Sequence, residues 1–477
     1  MIKKFKIPFY SAFAINIFLI LLVGFYLNWI YSDLPNQIPF FYTMPWGLQQ
    51  LASKSYICGL FAIPIALLIL NIIMSVVEYS KNNFVLSKFY SYISLLINIP
   101  ILFYAFRIVN IVSYKIIDVP VWAKIIAFPV MIAFITTAIT GPIVIKLAKK
   151  YGFMDDPLIH KHPGMLLTKP TPRAGGLTYF LGILIPALFI LPIAQSQKLI
   201  GIFLGAAICV FIGLKDDKKD VNPYVRLFLQ LLATGLVVLA GTILIYIPNP
   251  FGNSIKLDDF KFVIEFMGTH KIHYISVIVA GIWIMWTMNF MSFANGTDGV
   301  YAGLVTITSL VIAILMIPNL GVDPGTDKFI KLAALSAGAG LGMALFTWPP
   351  QKILWGFGAT SAGLIIAALS IIGSTKVAAT LLILLIPFLD GVFAVIRRIR
   401  RKQMPFWGDR EHLHHKLLEG LGWSKKKVAI FYWLTTILFA SIGIASSGQS
   451  RALFLASIGA IVIFGITMLN FFKNPRK

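Results

Sequence analysis

The sequence is poor in charged residues and poorer still in acidic ones. Of its 477 residues, 58% are apolar and only 12% are charged, whereas a soluble domain is about half apolar and about a quarter charged. Lys and Arg number 41 against 18 Asp and Glu, which gives a net charge of +23. No hydrophilic stretch is long enough to form a basic soluble domain that would bind nucleic acid. The composition therefore excludes an ordinary globular protein and a nucleic-acid partner.

Cysteine is nearly absent. Cys58 and Cys209 are the only two, and both lie in apolar runs, which excludes a disulfide framework and a cysteine metal site. Short alternating segments of the kind that build membrane β-barrels are lacking as well, because apolar runs longer than about 18 residues recur along the chain. A bundle of membrane helices is the architecture that remains.

Long apolar runs are abundant. A membrane span uses about 20 apolar residues, and hydropathy windows predict about 14 spans. They lie near residues 8–31, 56–77, 89–113, 121–144, 175–194, 198–214, 227–247, 274–290, 301–317, 332–348, 357–373, 377–396, 428–446 and 452–472. We therefore predict an all-α polytopic integral membrane protein.

The basic residues indicate an orientation. Lys and Arg concentrate in the connections that are cytoplasmic when the N-terminus is cytoplasmic, above all in the loop after the twelfth predicted span. The positive-inside rule then predicts that both termini lie in the cytoplasm. Most clustered acidic residues fall in the same inner connections, so we expect any chemistry on that side.

The densest acidic cluster, from Lys215 to Asp220, directly follows the sixth predicted span. If that helix continues by one turn, Asp216, Asp217 and Asp220 share a face. Three carboxylates on one face are costly unless cations compensate them, as in a site for Mg²⁺ and phosphate. A solvated charge run at the end of a span explains the same residues.

Two further segments combine polar side chains with glycines. Asn295 and Asp298 follow the eighth predicted span, where amide and carboxylate groups suit metal, ribose or base contacts, although the same residues are common turn formers. Lys169 and Arg173 precede a Gly-Gly pair at the start of the fifth span. Backbone N–H groups and cations there can meet a phosphate, while helix entry and close packing explain the glycines equally well.

The last inner loop contains Arg410, His412, His414 and His415 after a run of arginines. Such a set can hold a diphosphate through charge-assisted hydrogen bonds, whereas zinc lacks a clear further ligand. A basic surface that only fixes topology explains the arginines but not the histidines. Asp390 lies in an apolar segment about 10 Å from the inner face, where a free carboxylate is costly, so we expect it to have a partner or a role.

Taken in order, these segments resemble the polyprenyl-phosphate N-acetylhexosamine-1-phosphate transferases, a bacterial family of the glycosyltransferase 4 type. The last loop looks like the branch that uses UDP-N-acetylglucosamine. The similar stretches are Gly152-Phe153-Met154-Asp155 through Pro172-Arg173-Ala174-Gly175-Gly176, Asp216-Asp217-x-x-Asp220, Asn295-x-x-Asp298-Gly299, Ile386-Pro387-Phe388-Leu389-Asp390, and Asp409-Arg410-Glu411-His412-Leu413-His414-His415-Lys416-Leu417-Leu418.

The resemblance implies an activity and a site. The chain would transfer GlcNAc-1-phosphate from a UDP-sugar to polyprenyl phosphate, with release of UMP, at the cytoplasmic face of a bacterial inner membrane. Mg²⁺ would be the cofactor, with Mn²⁺ as an alternative, and a homodimer is left open. Asp216 and Asp217 would be catalytic, and Asp217, Asp298 and Asp220 would hold the metal. The implied substrate-binding residues are Lys169, Arg173, Asn295, Arg410, His412, His414 and His415.

Two departures from the family's pattern keep other classes of function open. Where the family has a Gly-Asp-x-Gly box, this chain reads Trp355-Gly356-Phe357-Gly358, and Tyr301 replaces the family's second acid after the Asn-x-x-Asp-Gly box. A catalytically degenerate member that binds nucleotide-sugar or lipid, and a membrane transporter, are the alternatives. Residues 121–477 would form the transferase-like core of about 11 spans, and residues 1–120 an added three-helix membrane module.

Overall fold

The computed structural model describes residues 7–41, 47–112, 120–157, 167, 169–247, 255–265, 269–373, 376–402, 412–446 and 458–459. The chain divides into two compact units, Met1–Pro120 and Val121–Lys477. Each unit is built from helices, because uninterrupted apolar segments satisfy their backbone hydrogen bonds internally only as helices.

Unit 1 contains three long helices and one short hairpin. The helices are α1 Ile7–Ile30, α2 Tyr56–Ser80 and α3 Phe84–Val112, and β1 Gln37–Pro39 pairs with β2 Leu51–Ser53 in antiparallel register. Buried amides connect the helices: the Asn98 side chain donates to Asn16 Oδ1 at 3.1 Å and to Pro64 O at 3.0 Å. Such hydrogen bonds fix helix packing where apolar contacts alone do not discriminate between neighbours.

Unit 2 contains the remaining helices, preceded by a π-helical turn at Ala123–Ala127. They are α4 Phe128–Tyr151, α5 Gly175–Ile190, α6 Gln197–Lys218, α7 Pro223–Leu239, α8 Tyr274–Phe293, α9 Val300–Met316, α10 Thr326–Thr347, α11 Thr360–Ile372, α12 Lys376–Ile383, α13 Leu385–Arg400, α14 Leu413–His415 and α15 Lys425–Ala445. Three antiparallel pairs join β3 Met154–Asp155 to β4 Thr171–Pro172, β5 Tyr246–Ile247 to β6 Ile255–Lys256, and β7 Phe262–Glu265 to β8 Thr269–Ile272.

The core of unit 2 lies around α9, α10 and α11. Small residues allow close helix contacts there: a Cβ atom on Gly338 would overlap the Val130 carbonyl of α4, and one on Gly342 would meet Thr137. Close backbone approach at Gly and Ala is the usual packing mode of membrane helices. The inner helices therefore form a rigid frame on which the polar loops are mounted.

The prediction of an all-α polytopic membrane protein is confirmed, whereas the count of about 14 spans is not. Within the described residues, eight helices are long and apolar enough to cross a membrane, or nine if α12 and α13, which are bent by 79°, form one broken span. The helices α5, α7 and α11 are apolar but shorter. The predicted span at 452–472 lies outside the described residues except for 458–459.

Candidate active site

The segment 353–359, between α10 and α11, contacts most of the predicted site. The N–H groups of Gly175 and Gly176 donate to Leu354 O and Trp355 O at 2.8 and 2.9 Å. A Cβ atom on Gly176 would overlap the backbone of the same segment. The two glycines therefore serve close packing, and these N–H groups are engaged by protein rather than offered to a phosphate.

Arg173, just before α5, lies among three carboxylates. Its Nε is 2.8 Å from Asp217 Oδ1, its Nη2 is 3.8 Å from Asp216 Oδ2, and its Nη1 is 3.7 Å from Asp155 Oδ2. Burial alone would lower the pKa of the Arg173 guanidinium, but the surrounding carboxylates raise that pKa above its ordinary value. Arg173 is thus a permanent cation at the centre of the site.

Asp217 is buried at the end of α6 and held on one side. Its Oδ1 accepts a hydrogen bond from the Phe357 N–H at 3.0 Å, in addition to the Arg173 contact. Gly356 has φ +65°, and a Cβ atom there would overlap the Asp217 carboxylate. The structure shows no hydrogen-bond donor to Asp217 Oδ2 among the described residues; this oxygen is the carboxylate atom nearest to the Cβ position of Gly356.

Asp216, in contrast, has both oxygens engaged. Arg226 Nη1 donates to Oδ1 at 3.1 Å and to Oδ2 at 3.3 Å, and the Val221 N–H donates to Oδ1 at 3.1 Å. The Arg226 guanidinium lies 5.1 Å from the centroid of the Phe357 ring. Asp216 therefore ties the loop after α6 to the start of α7, and Arg226 is a site residue that sequence reasoning missed.

The prediction that Asp216, Asp217 and Asp220 share one helix face is wrong for Asp220. The helix α6 ends at Lys218, because Lys219 adopts an extended conformation with φ −153° and ψ 122°. Asp220 consequently lies beyond the helix and is exposed, as is Lys169. Arg410 lies outside the described residues.

The Asn295 to Gly299 turn joins the same site. Asn295 Nδ2 donates to Gly356 O at 3.4 Å. Asp298 is buried, and its two oxygens accept from Lys425 Nζ at 2.9 Å and from the Gln351 N–H at 3.3 Å. Lys425, at the start of α15, is a second residue that sequence reasoning missed, since it stands in a Lys-Lys-Lys run that the positive-inside rule explains.

The predicted histidines stack on one another beside this turn. The rings of His412 and His414 are parallel, 5.7 Å apart, and those of His414 and His415 are 4.3 Å apart. A Cβ atom on Gly296 would overlap the His414 ring. Asp217, Asn295 and the histidines are thus linked by direct contacts through the Gly356 and Gly296 positions.

The partner that Asp390 was expected to need is His412. His412 Nδ1 lies 2.9 Å from Asp390 Oδ2, and the Leu413 N–H donates to Asp390 Oδ1 at 2.9 Å. Arg398, which is also buried, approaches His412 Nε2 at 3.4 Å. These four residues connect α13 to the histidine segment.

The described carboxylates of the site are too few to hold a metal ion by themselves, and they suit an ion that binds together with a substrate phosphate. Within the described residues, no three His, Cys, Asp or Glu side chains are grouped so as to hold a metal ion. Mg²⁺ commonly uses one or two carboxylates and completes its shell with water and substrate phosphates. Asp217 accepts one hydrogen bond from the described residues, whereas Asp298 has both oxygens engaged by donors, so Asp217 is the better candidate for such a carboxylate.

The two departures from the family's pattern lie against each other. Tyr301 is fully buried and its hydroxyl donates to Ala359 O at 2.7 Å. Trp355 packs between Tyr179 and Tyr301, with ring centroids 5.3 and 4.8 Å apart. Aromatic packing therefore holds segment 353–359 in place, the segment that aligns with the family's Gly-Asp-x-Gly box.

Fold and site together define a multi-pass helical membrane protein whose polar side chains, from segments far apart in sequence, meet in one cation-rich site. Residues 199–374 match the sequence model of glycosyl transferase family 4. This stretch runs from α6 to the end of α11 and includes Asp216, Asp217, Asn295 and Asp298.

Curated bacterial proteins are similar over most of their length. A probable undecaprenyl-phosphate N-acetylglucosaminyl 1-phosphate transferase of Bacillus subtilis is 27% identical over 348 residues, which cover 71% of this chain and 89% of the relative. A decaprenyl-phosphate N-acetylglucosaminephosphotransferase of Mycobacterium tuberculosis is 29% identical over 375 residues, with 71% and 86% covered. A phospho-N-acetylmuramoyl-pentapeptide-transferase of Clostridioides difficile is 25% identical over 344 residues, with 67% and 97% covered. The family model over residues 199–374 and these relatives together support the glycosyl transferase family 4 resemblance.

Proposed function

We propose that this protein transfers N-acetylglucosamine 1-phosphate from UDP-N-acetylglucosamine to a polyprenyl phosphate and releases UMP. The names of the Bacillus and Mycobacterium relatives support the acceptor and the sugar. The histidine loop, which resembles the UDP-N-acetylglucosamine branch, supports the same sugar. The observation that carries the proposal is the pairing of buried Asp217 with Arg173 in the site that also contains Asn295 and His414.

The reaction is a displacement at phosphorus. An oxygen of the lipid phosphate attacks the sugar-bearing phosphorus of the UDP-sugar, the bond to the bridging oxygen breaks, and UMP leaves with the bonding electrons. Charge accumulates on the phosphoryl oxygens, so catalysis depends on cations positioned in advance. Arg173 and Lys425 are such cations. Arg173 is paired with Asp217 at 2.8 Å, and Lys425 is paired with Asp298 at 2.9 Å.

We propose that the Asp217 carboxylate would hold Mg²⁺, or Mn²⁺ in its place, with substrate phosphates supplying further ligands. When bound, the ion would neutralise charge on the transferring phosphoryl group. The Phe357 N–H and Arg173 hold Oδ1 of this carboxylate in place. The concentration of Lys and Arg in the predicted inner loops supports a site on the cytoplasmic face of a bacterial inner membrane.

The test uses the full-length protein in lipid nanodiscs with labelled UDP-N-acetylglucosamine and undecaprenyl phosphate. Wild type is expected to form a lipid-linked product, and Asp217→Asn to lower turnover roughly 100-fold or more. Asp327→Asn is the matched control, because Asp327 forms a partly exposed pair with Lys331 at 3.1 Å and ion pairs near the surface contribute little. Absence of lipid product with every UDP-N-acetylhexosamine, or full activity of Asp217→Asn, would overturn the proposal.

A non-catalytic binding protein is the second candidate, and Phe357 is the observation that favours it. The Phe357 ring lies over Arg226 in the segment where the family has a metal-binding acid. Calorimetry with UDP-N-acetylglucosamine separates the two candidates. Binding without turnover, in the presence of Mg²⁺ and lipid, supports the binding protein.

A further inference from the structure

We propose that His412 is a positioning residue rather than a ligand of the diphosphate, and that Asp390 and Arg398 set its orientation. The inference rests on the proposed function for its kinetic test, and a second test below does not. It reassigns one of the four residues that the resemblance gives to diphosphate binding.

The hydrogen bonds of His412 determine which nitrogen carries the proton. A guanidinium can only donate, so His412 Nε2, 3.4 Å from Arg398 Nη2, is the acceptor. Nδ1 then carries the proton and donates to Asp390 Oδ2 at 2.9 Å. Both ring nitrogens are thereby engaged by buried protein groups.

Asp390 cannot be exchanged for a neutral acceptor without loss. Its second oxygen accepts from the Leu413 N–H at 2.9 Å, so the carboxylate receives two donors from adjacent residues of one segment. An amide offers one oxygen and one NH₂ group, and the NH₂ would face a donor in either orientation. Only a carboxylate satisfies both His412 and Leu413.

The ring of His412, oriented by Asp390, contacts other aromatic residues of the candidate site. The ring centroids of Phe293 and His412 are 5.4 Å apart. The rings of His412 and His414 are nearly parallel, with an interplanar angle of 5° and a centroid distance of 5.7 Å. His414 in turn fills the space beside Gly296, next to Asn295. Asp390 on α13 therefore orients His414 and the Asn295 turn through His412, although it is remote from them in sequence.

Matched substitutions at His412 separate positioning from ligand binding. In His412→Asn the amide Nδ2 takes the place of ring Nδ1 and can still donate to Asp390, whereas His412→Ala cannot. If His412 is a positioning residue, His412→Ala and Asp390→Asn lower kcat roughly 10- to 100-fold with little change in KM for the UDP-sugar, as expected for a buried charge-assisted hydrogen bond. His412→Asn then recovers activity to within about fivefold of wild type, and the double variant Asp390→Asn/His412→Ala is no worse than either single one.

The opposite pattern overturns the inference. A ligand of the diphosphate would make His412→Asn as impaired as His412→Ala, with KM raised in both. His273→Ala is the control for loss of a hydrogen-bonded histidine, because His273 Nδ1 contacts Asp258 O at 2.8 Å outside the site. The melting temperature of each variant shows that it has folded.

A spectroscopic measurement is independent of turnover. The chain has 7 histidines, so the ¹⁵N-histidine spectrum of wild type minus that of His412→Asn isolates the His412 ring. The Nδ1–H tautomer, lost in Asp390→Asn, supports the inference; an Nε2–H tautomer or an imidazolium overturns it. If wild type has no transferase activity but shows this signal, the proposed function fails and the positioning role stands.

Discussion

Replacing Gly356 by Ala tests the geometry around Asp217 directly. Gly356 has φ +65°, and its added Cβ would overlap the Asp217 carboxylate. With ψ −166°, this backbone conformation is essentially restricted to glycine, so the strain alone costs roughly 1–3 kcal/mol for an L-residue. The carboxylate must also move, which breaks the hydrogen bond from the Phe357 N–H and costs about 1.5–3 kcal/mol more for a charged acceptor.

Gly321→Ala is the matched control for backbone strain. Gly321 has φ +82° but nothing lies within 4 Å of its added Cβ. The free energy of unfolding of this variant should therefore fall only by the backbone strain of about 1–2 kcal/mol. Its turnover is expected to equal that of wild type. The difference between the two variants isolates the displacement of Asp217.

Thermal unfolding in detergent and product formation in nanodiscs measure the two effects separately. A displacement of about 1 Å at a reacting group costs roughly 100-fold in rate, so we expect at least that loss in Gly356→Ala. Equal stability and equal activity of Gly356→Ala and Gly321→Ala would refute the placement of Asp217 against Gly356 and, with it, the proposed role of this carboxylate.

Three further predictions concern charges in the site. Lys425→Met removes the cation paired with Asp298 and should lower turnover at least about tenfold, whereas Lys426→Met, at an exposed neighbour, should stay within about twofold of wild type; equal effects contradict the pairing. Phe357→Asp, next to Arg226, should tighten Mg²⁺ activation roughly tenfold relative to Phe357→Asn, and equal Mg²⁺ titrations of the two contradict it. Chelation should abolish turnover and added Mg²⁺ restore it, and activity that persists in chelator contradicts the metal assignment.

Hydropathy predicts the class of fold well because the membrane leaves few alternatives for an apolar segment. It does not predict where a helix bends. The window 377–396 reads as one span, but the structure has α12 and α13 at 79° to each other. Pro387 cannot donate the hydrogen bond that would continue a helix across residue 383, and the apolar character of the segment conceals this break.

The sequence indicated most acids and histidines of the candidate site but not their partners. A buried carboxylate requires a cation or several donors, and this requirement alone indicated a partner for Asp390. Which cation serves which acid depends on tertiary contacts. Arg226 and Lys425 lie in segments where basic residues also satisfy the positive-inside rule, so their roles became visible only from the structure.

Pairing of the acids has a consequence for substrate binding. Asp216, Asp298 and Asp390 each have both oxygens engaged by donors, so their negative charges are largely compensated before a substrate arrives. A diphosphate adds negative charge, and like charges in a poorly hydrated site repel strongly. The absence of an acid in the segment that contains Phe357 lowers this repulsion, and it also removes a ligand that would hold Mg²⁺ without substrate. For the proposed Mg²⁺ cofactor, both effects favour binding together with the nucleotide rather than before it.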